Sequence, residues 1–414
     1  MTPDSAASRR FFLKASASAA AGLGGLTLPG APLLRADEQE PLIEGTTIGQ
    51  LIAQLKDDNP NVRRAAASML DRFGPAEKAA VPALTDALKD KEAHVRYAAA
   101  KALGRIGPEA KASQAVLTEA LKDHHAGVRV AAATALIRIG ADAKGLVSPL
   151  TEGLKDKDER VREAAAWSLS RLGPDAKSAA GALVEALKDD SGAVRQWAAA
   201  ALGKVGAPVQ AVVPALADAL KDDDERVRES AAASLGRIGA GAKTAVAVLV
   251  QALKDHHGAV RSSAATALGK IAGDPQTAAP ALVEALKDKD ERVRECAAWA
   301  LMELGTAAKT AIPALGEALK DTHGAVRQWS AAALGRMGAE AKGEAPALTD
   351  LLKDRDERVR HSAAWALGEM GAAAKPAVPS LIEALKDEDK DVQFRAAEAL
   401  KKIDPEAARK AGAP

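Results

Sequence analysis

Eleven copies of the tripeptide Leu-Lys-Asp, set thirty-three residues apart without a single insertion, restrict this chain to a repeat array. Their leucines stand at 55, 88, 121, 154, 187, 220, 253, 286, 319, 352 and 385. Five residues after each aspartate comes a valine, from Val62 to Val392. An arginine follows that valine in ten of the eleven copies, and Gln393 is the exception. A chain of 414 residues would ordinarily divide into two or three domains. Identical short units instead add along one dimension and share a continuous core.

One unit, Val81 to Gly107, shows the local grammar. Val81, Leu84 and Leu88 are apolar at helical spacing, and Pro82 suits a first helical turn, where its missing N–H is not needed. Comparable prolines stand at 214, 280, 313, 346 and 379. A turn near Asp90 leads to a second helix with Val95, Ala99, Leu103 and Ile106 on one stripe, closed by Gly107. Such a short antiparallel pair cannot bury its stripe alone, so stacking must supply the partner surface. Turns alternate between D-E-R-V-R and G-A-V-R types from Leu121 to Gly371, as duplication of a two-repeat block would produce.

The Val-Arg opening and the A-A-x-A-L-G-R-I-G close of the second helix resemble the HEAT-repeat family, and most closely the short Ala-rich repeats of phycobilisome lyase subunits. The resemblance covers residues 43–406 and implies an all-α, right-handed α-solenoid of about eleven two-helix repeats. It also implies a hydrogen-bonded ladder between turn aspartates (Asp57 to Asp387) and the Val-Arg arginines (Arg63 to Arg360). Within it Asp156, Arg162, Asp189, Arg195, Asp222, Arg228, Asp288 and Arg294 are structural candidates. Polar Gln393, Glu398, Lys401 and Lys402 suit a capping last repeat, and residues 407–414 are expected to form a frayed tail beginning near Pro405.

Residues 1–36 follow another pattern. Ser8-Arg9-Arg10-Phe11-Phe12-Leu13-Lys14, then an apolar run from Ala15 to Leu28, resembles a bacterial twin-arginine export signal, with Arg9, Arg10, Phe12 and Leu13 as its recognition residues. The run is short and glycine-rich for a membrane helix, so no stable insertion is expected after cleavage near Ala36. Residues 37–42 then read as a linker. The resemblance implies passage through the twin-arginine translocase and a periplasmic or otherwise extracytoplasmic mature protein.

Removing residues 1–36 takes away four cations and one anion, leaving 53 basic against 55 acidic residues, a net charge of −2. That balance lacks the broad basic footprint of a nucleic-acid binder. Cys296 is the only cysteine, which excludes an internal disulfide, and it reads as a small helix residue. The pairs His124-His125 and His256-His257 invite a metal reading, yet no ligand spacing supports it. No cofactor and no catalytic residue is expected.

Function must then reside in what varies between copies. Counted from its valine as position 0, the second helix places 4, 7, 8 and 11 on the core side and sends 2, 3, 6, 9 and 10 away. All five tryptophans take the latter positions: Trp197 and Trp329 at 3, Trp167, Trp299 and Trp365 at 6. Gln196 and Gln328 at position 2 and Arg171 and Arg336 at position 10 accompany them, a composition suited to recognising a protein or peptide. The opposing expectation is that the rings fill grooves between neighbouring second helices. The first reading makes the chain a non-catalytic, partner-binding scaffold. A chromophore-lyase-like or chaperone role, implied by the phycobilisome resemblance, and a purely structural envelope spacer are the alternatives.

Overall fold

The computed structural model describes residues 47–73 and 78–413. The export-signal residues Arg9, Arg10, Phe12 and Leu13 and the linker lie outside them. Eleven antiparallel helix pairs follow one another, from Ile48–Gln54 with Pro60–Phe73 to Val378–Ala384 with Lys390–Ile403. The described residues are helix, 3-10 turn and loop, an all-α solenoid. In repeat 4 the pair is Val147–Gly153 and Glu159–Leu172. First helices are short, mostly seven residues, because the LKD turn ends them; second helices mostly run fourteen. Gly173, at φ 59°, closes the second helix of repeat 4 in a backbone region closed to most side chains, and a 3-10 turn (Gly173–Ala179) leads into the next pair.

The core is one strip of small side chains running the length of the stack. Leu84, Leu103, Leu117, Leu136, Leu169 and Leu183 are fully buried in it, with alanines between them. Second helices pack against one another more extensively than first helices do, so their side is the inner side of the stack. Alanine and glycine permit that approach. A Cβ on Gly335 would come 2.9 Å from the Cα of Ala366 in the next second helix and 2.6 Å from the Trp365 ring.

An ion-pair ladder runs beside this strip. Each Val-Arg guanidinium reaches the turn aspartate of the following repeat: Arg162 Nε donates to Asp189 at 2.6 Å and Nη2 at 2.8 Å. Arg195 does the same to Asp222, Arg228 to Asp255, Arg261 to Asp288 and Arg294 to Asp321. The remaining Nη1 donates back to the carbonyls of its own turn, as from Arg195 to Asp189 O and Asp190 O. The aspartate also accepts the N–H two residues on, Ser191 to Asp189 for example. Four of the five guanidinium donors and both carboxylate oxygens are thus engaged at a largely covered site. Burial pushes carboxyls such as Asp189 and Asp288 up, but the arginine and backbone donors together hold them below the usual carboxylate range. One rung differs: Arg129 meets Asp156 through Nη2 alone, at 2.6 Å, and its buried Nε finds no acceptor.

Gln393 stands where the ten preceding copies carry the ladder arginine. Gln393 keeps only the inward contact, Nε2 to Asp387 O at 2.6 Å. Two sequence expectations need correction. The stretch after Asp404 does not fray: Asp404 caps a helix, Pro405–Lys410, whose Ala408 is buried. Pro214 and Pro280 are not first-turn prolines, because their helices start early, at Val209 and Pro275, and enclose them.

Candidate functional site

Each second helix between the first and the last is covered on three sides: by its own first helix and by the second helices before and after it. At about 100° per residue, positions 0, 4, 8 and 11 face the first helix, 5 and 9 one neighbour, and 3 and 7 the other. The arc left open spans only positions 2, 6 and 10. A lone helix with one covered side would have a wider free face, reaching positions 3 and 9 as well.

The tryptophans divide accordingly. Position 3 lies in the seam, and Trp197 and Trp329 are 7% and 1% exposed. They are therefore not part of an open recognition strip, which corrects that expectation. Each indole finds a polar partner one repeat back: Trp197 hydrogen-bonds Glu163, and Trp329 hydrogen-bonds Glu295. Burial pushes both glutamate carboxyls above their ordinary range, and the indole bonds pull them part of the way back. Gln196 and Gln328, expected on the open face, are buried at 5% and 2%. The same geometry joins His361 to Arg395, whose Nε donates to His361 Nε2 at 3.0 Å. In all three pairs position 2 meets position 3 of the next repeat, thirty-four residues on. That constant spacing was the sequence signal for these contacts.

Position 6 stays on the arc. Trp167, Trp299 and Trp365 are half-buried and pack against the core from its inner side. A Cβ on Gly269 would come 2.9 Å from Trp299, and Gly335 stands in the same relation to Trp365. Trp299 and Trp365 lean on the preceding helix through a glycine, and all three rings still present part of their surface outward. The seams thus take Trp197 and Trp329, while Trp167, Trp299 and Trp365 stay partly exposed. Arg171 and Arg336, at position 10, are exposed beside them. Cys296 is half-buried in the seam at position 3, its thiol pushed up to about 11 by burial, so it holds its proton at neutral pH.

Among the described residues, no group of three or more His, Cys, Asp or Glu side chains is placed to hold a metal ion. The arc offers aromatic surface in repeats 4, 8 and 10, and exposed cations at position 10 such as Arg171 and Arg336. Such an arrangement can clasp an extended chain, with apolar contacts from the rings and charge contacts from position 10.

The comparisons with known proteins agree with this architecture. No curated protein matches the chain. An engineered protein of solved structure is 25% identical, with a TM-score of 0.55 over 86% of this chain and 98% of its own. Kap95p, in a structure describing its binding to RanGDP, is 16% identical with a TM-score of 0.57, covering 88% of this chain and 57% of Kap95p. The karyopherin Kap121p, bound to the extreme C-terminus of the protein phosphatase Cdc14p, is 16% identical with a TM-score of 0.52 over 86% of this chain and 45% of its own. The chain thus spans about half the length of these karyopherins, and the likeness to them is one of fold. The family profile for HEAT repeats matches in seven overlapping windows, beginning at residues 48–137 and ending at 345–411. With nearly the whole helical array matched, the chain belongs to the HEAT-repeat family.

Proposed function

We propose that this protein is an exported, non-catalytic scaffold that holds an extended segment of a partner protein along its inner face. The observation that carries the proposal is the open arc itself. Half-buried Trp167, Trp299 and Trp365 recur at one helical position, with exposed Arg171 and Arg336 beside them. Rings anchored on one side and wet on the other are typical of recognition surfaces. That Kap121p, a structural neighbour, binds the C-terminus of another protein supports a peptide-like ligand. The twin-arginine pattern at Arg9-Arg10 supports action outside the cytoplasm.

The test is affinity capture from the extracytoplasmic fraction, comparing the natural chain with a Trp167→Ala/Trp365→Ala variant. A partner recovered by the first and lost by the second, at matched helicity and with the array still folded at the assay temperature, is the expected result. Equal recovery by both would place binding elsewhere. Fractionation in the same experiment checks export, since a protein found only in the cytoplasm contradicts that part of the reading.

A further inference from the structure

A row of cations at position 10 follows the open arc, one per repeat and all at the C-terminal end of a second helix. Through repeats 3 to 7 it reads Arg138, Arg171, Lys204, Arg237 and Lys270. A cation there suits the helix dipole, which is worth only about 0.3–1 kcal/mol at an exposed site. The position is not confined to cations, because repeats 8 and 10 carry Glu303 and Glu369 in it.

Neighbours in this row can touch. Lys402 Nζ lies 2.8 Å from Glu369 Oε1, one repeat back. Near the other end, Arg105 lies 3.4 Å from Asp71. At its ends, then, the row neutralises itself. Between them, none of the five cations lies within ion-pair distance of a carboxylate among the described residues. The slot that Asp71 fills for Arg105 holds Gly104, Ile137, Ser170, Gly203 and Gly236 in turn. Half-buried Lys204 has only the Ser170 hydroxyl, at 2.9 Å. Burial lowers its pKa, and so do Arg237 and Arg171 on either side; Lys270 is lowered by burial and by Arg237. From Arg171 to Lys270 the row is a line of like charges near enough to act on one another, with no internal counter-charge.

We infer that this row takes an extended acidic polypeptide segment bearing a carboxylate at about every third residue. The pitch of the stack is about 10 Å per layer. A polyproline II chain rises about 3.1 Å per residue with three residues per turn, which puts every third side chain on one side at nearly that pitch. Five rungs would match about thirteen residues. A nucleic acid fits less well, since with a charge about every 3.4 Å along each strand it would bring two further charges between successive rungs, where the row has no cation. It would also lie over Glu163 and Glu229, eight positions earlier on the same helices as Arg171 and Arg237 and so about 12 Å away. Those glutamates narrow the acceptable anion to a single thin chain. The inference rests on the inner-face reading proposed above and specifies the chemistry of its ligand.

The probe is a labelled fifteen-residue Glu-Pro-Pro repeat peptide, titrated by fluorescence anisotropy with the full chain at low salt. The Gln-Pro-Pro peptide and an unstructured RNA oligonucleotide serve as competitors. Expected are binding of the Glu peptide, none of the Gln peptide, and affinity about tenfold weaker with Lys204→Gln/Arg237→Gln. The exposed Arg138→Gln/Arg171→Gln pair should act alike, should the first pair disturb packing, and Lys254→Gln on the outer turn should change nothing. Equal affinity in all variants, or tighter binding of RNA to the same row, overturns the inference. If the peptide fails while capture still depends on Trp167 and Trp365, the scaffold reading survives and only the acidic ligand is lost.

Discussion

His361 is the side chain on which acid should act first. It is 3% exposed, and Arg395 donates to its Nε2, a bond that requires the neutral ring. Burial and the neighbouring guanidinium lower its pKa to about 4, against about 6.5 in an unfolded chain. The unfolded state therefore binds the extra proton first. Stability due to the neutral ring is complete above pH 6.5 and is lost as pH falls toward 4, by about 3 kcal/mol. Glu163, Glu229 and Glu295 work in the opposite sense, because burial raises their carboxyls and folding is favoured as they take up protons. The ladder aspartates, held low, respond only in stronger acid. Comparing the natural chain with His361→Gln isolates the first effect. The melting-temperature difference between them should move against the natural chain from pH 7 to pH 4.5, and parallel curves would show that His361 does not govern it.

At the scale of the element, the helix pair was legible in the sequence because its determinants are local and repeated. Stripe, turn aspartate, valine and closing glycine recur every thirty-three residues and each has one physical use. The seams between repeats were harder to read. Position 3 looks outward on a single helix, and only the neighbouring helix, thirty-three residues away, turns Trp197 and Trp329 into buried residues. Arg171 and Arg336 stand out at position 10 in the sequence, but the continuous row through Lys204, Arg237 and Lys270 shows only when that position is followed through the stack. Where the repeat departs from its own rule, a local consequence follows. Ala272 occupies the slot of the closing glycine and is the one non-glycine residue with positive φ, 46°, among those described. A left-handed alanine costs about 1 kcal/mol relative to glycine. Ala272→Gly should therefore raise stability by up to about that amount, read as a higher melting temperature. A drop would mean that the methyl group makes a packing contact worth more than the strain.

For the whole molecule, the relevant fact is that each repeat touches only its neighbours, so cooperativity must pass through every interface in turn. A ladder rung is part of that connection. Arg195 ties repeat 5 to repeat 6 through Asp222, whose side chain is 12% exposed. Truncating the arginine leaves that carboxylate covered and without its cation, a loss of about 3–5 kcal/mol for a buried pair and less in proportion to the water that reaches it. Placed mid-array, such a loss weakens the one link between two halves that each retain five or six repeats and their own continuous core. Arg195→Ala should then split thermal unfolding into two calorimetric transitions, with calorimetric enthalpy exceeding the van't Hoff value. Arg360→Ala, at the last rung, removes the same chemistry but isolates only repeat 11 and its short terminal helix. It should leave one main transition with a small early component from that end. The two variants share a bond type and differ only in position, so any contrast between their melting profiles reports how the array transmits stability. If both unfold in one step with equal losses, the coupling between repeats is strong enough that no single rung divides it, and the stack behaves as one unit under stress.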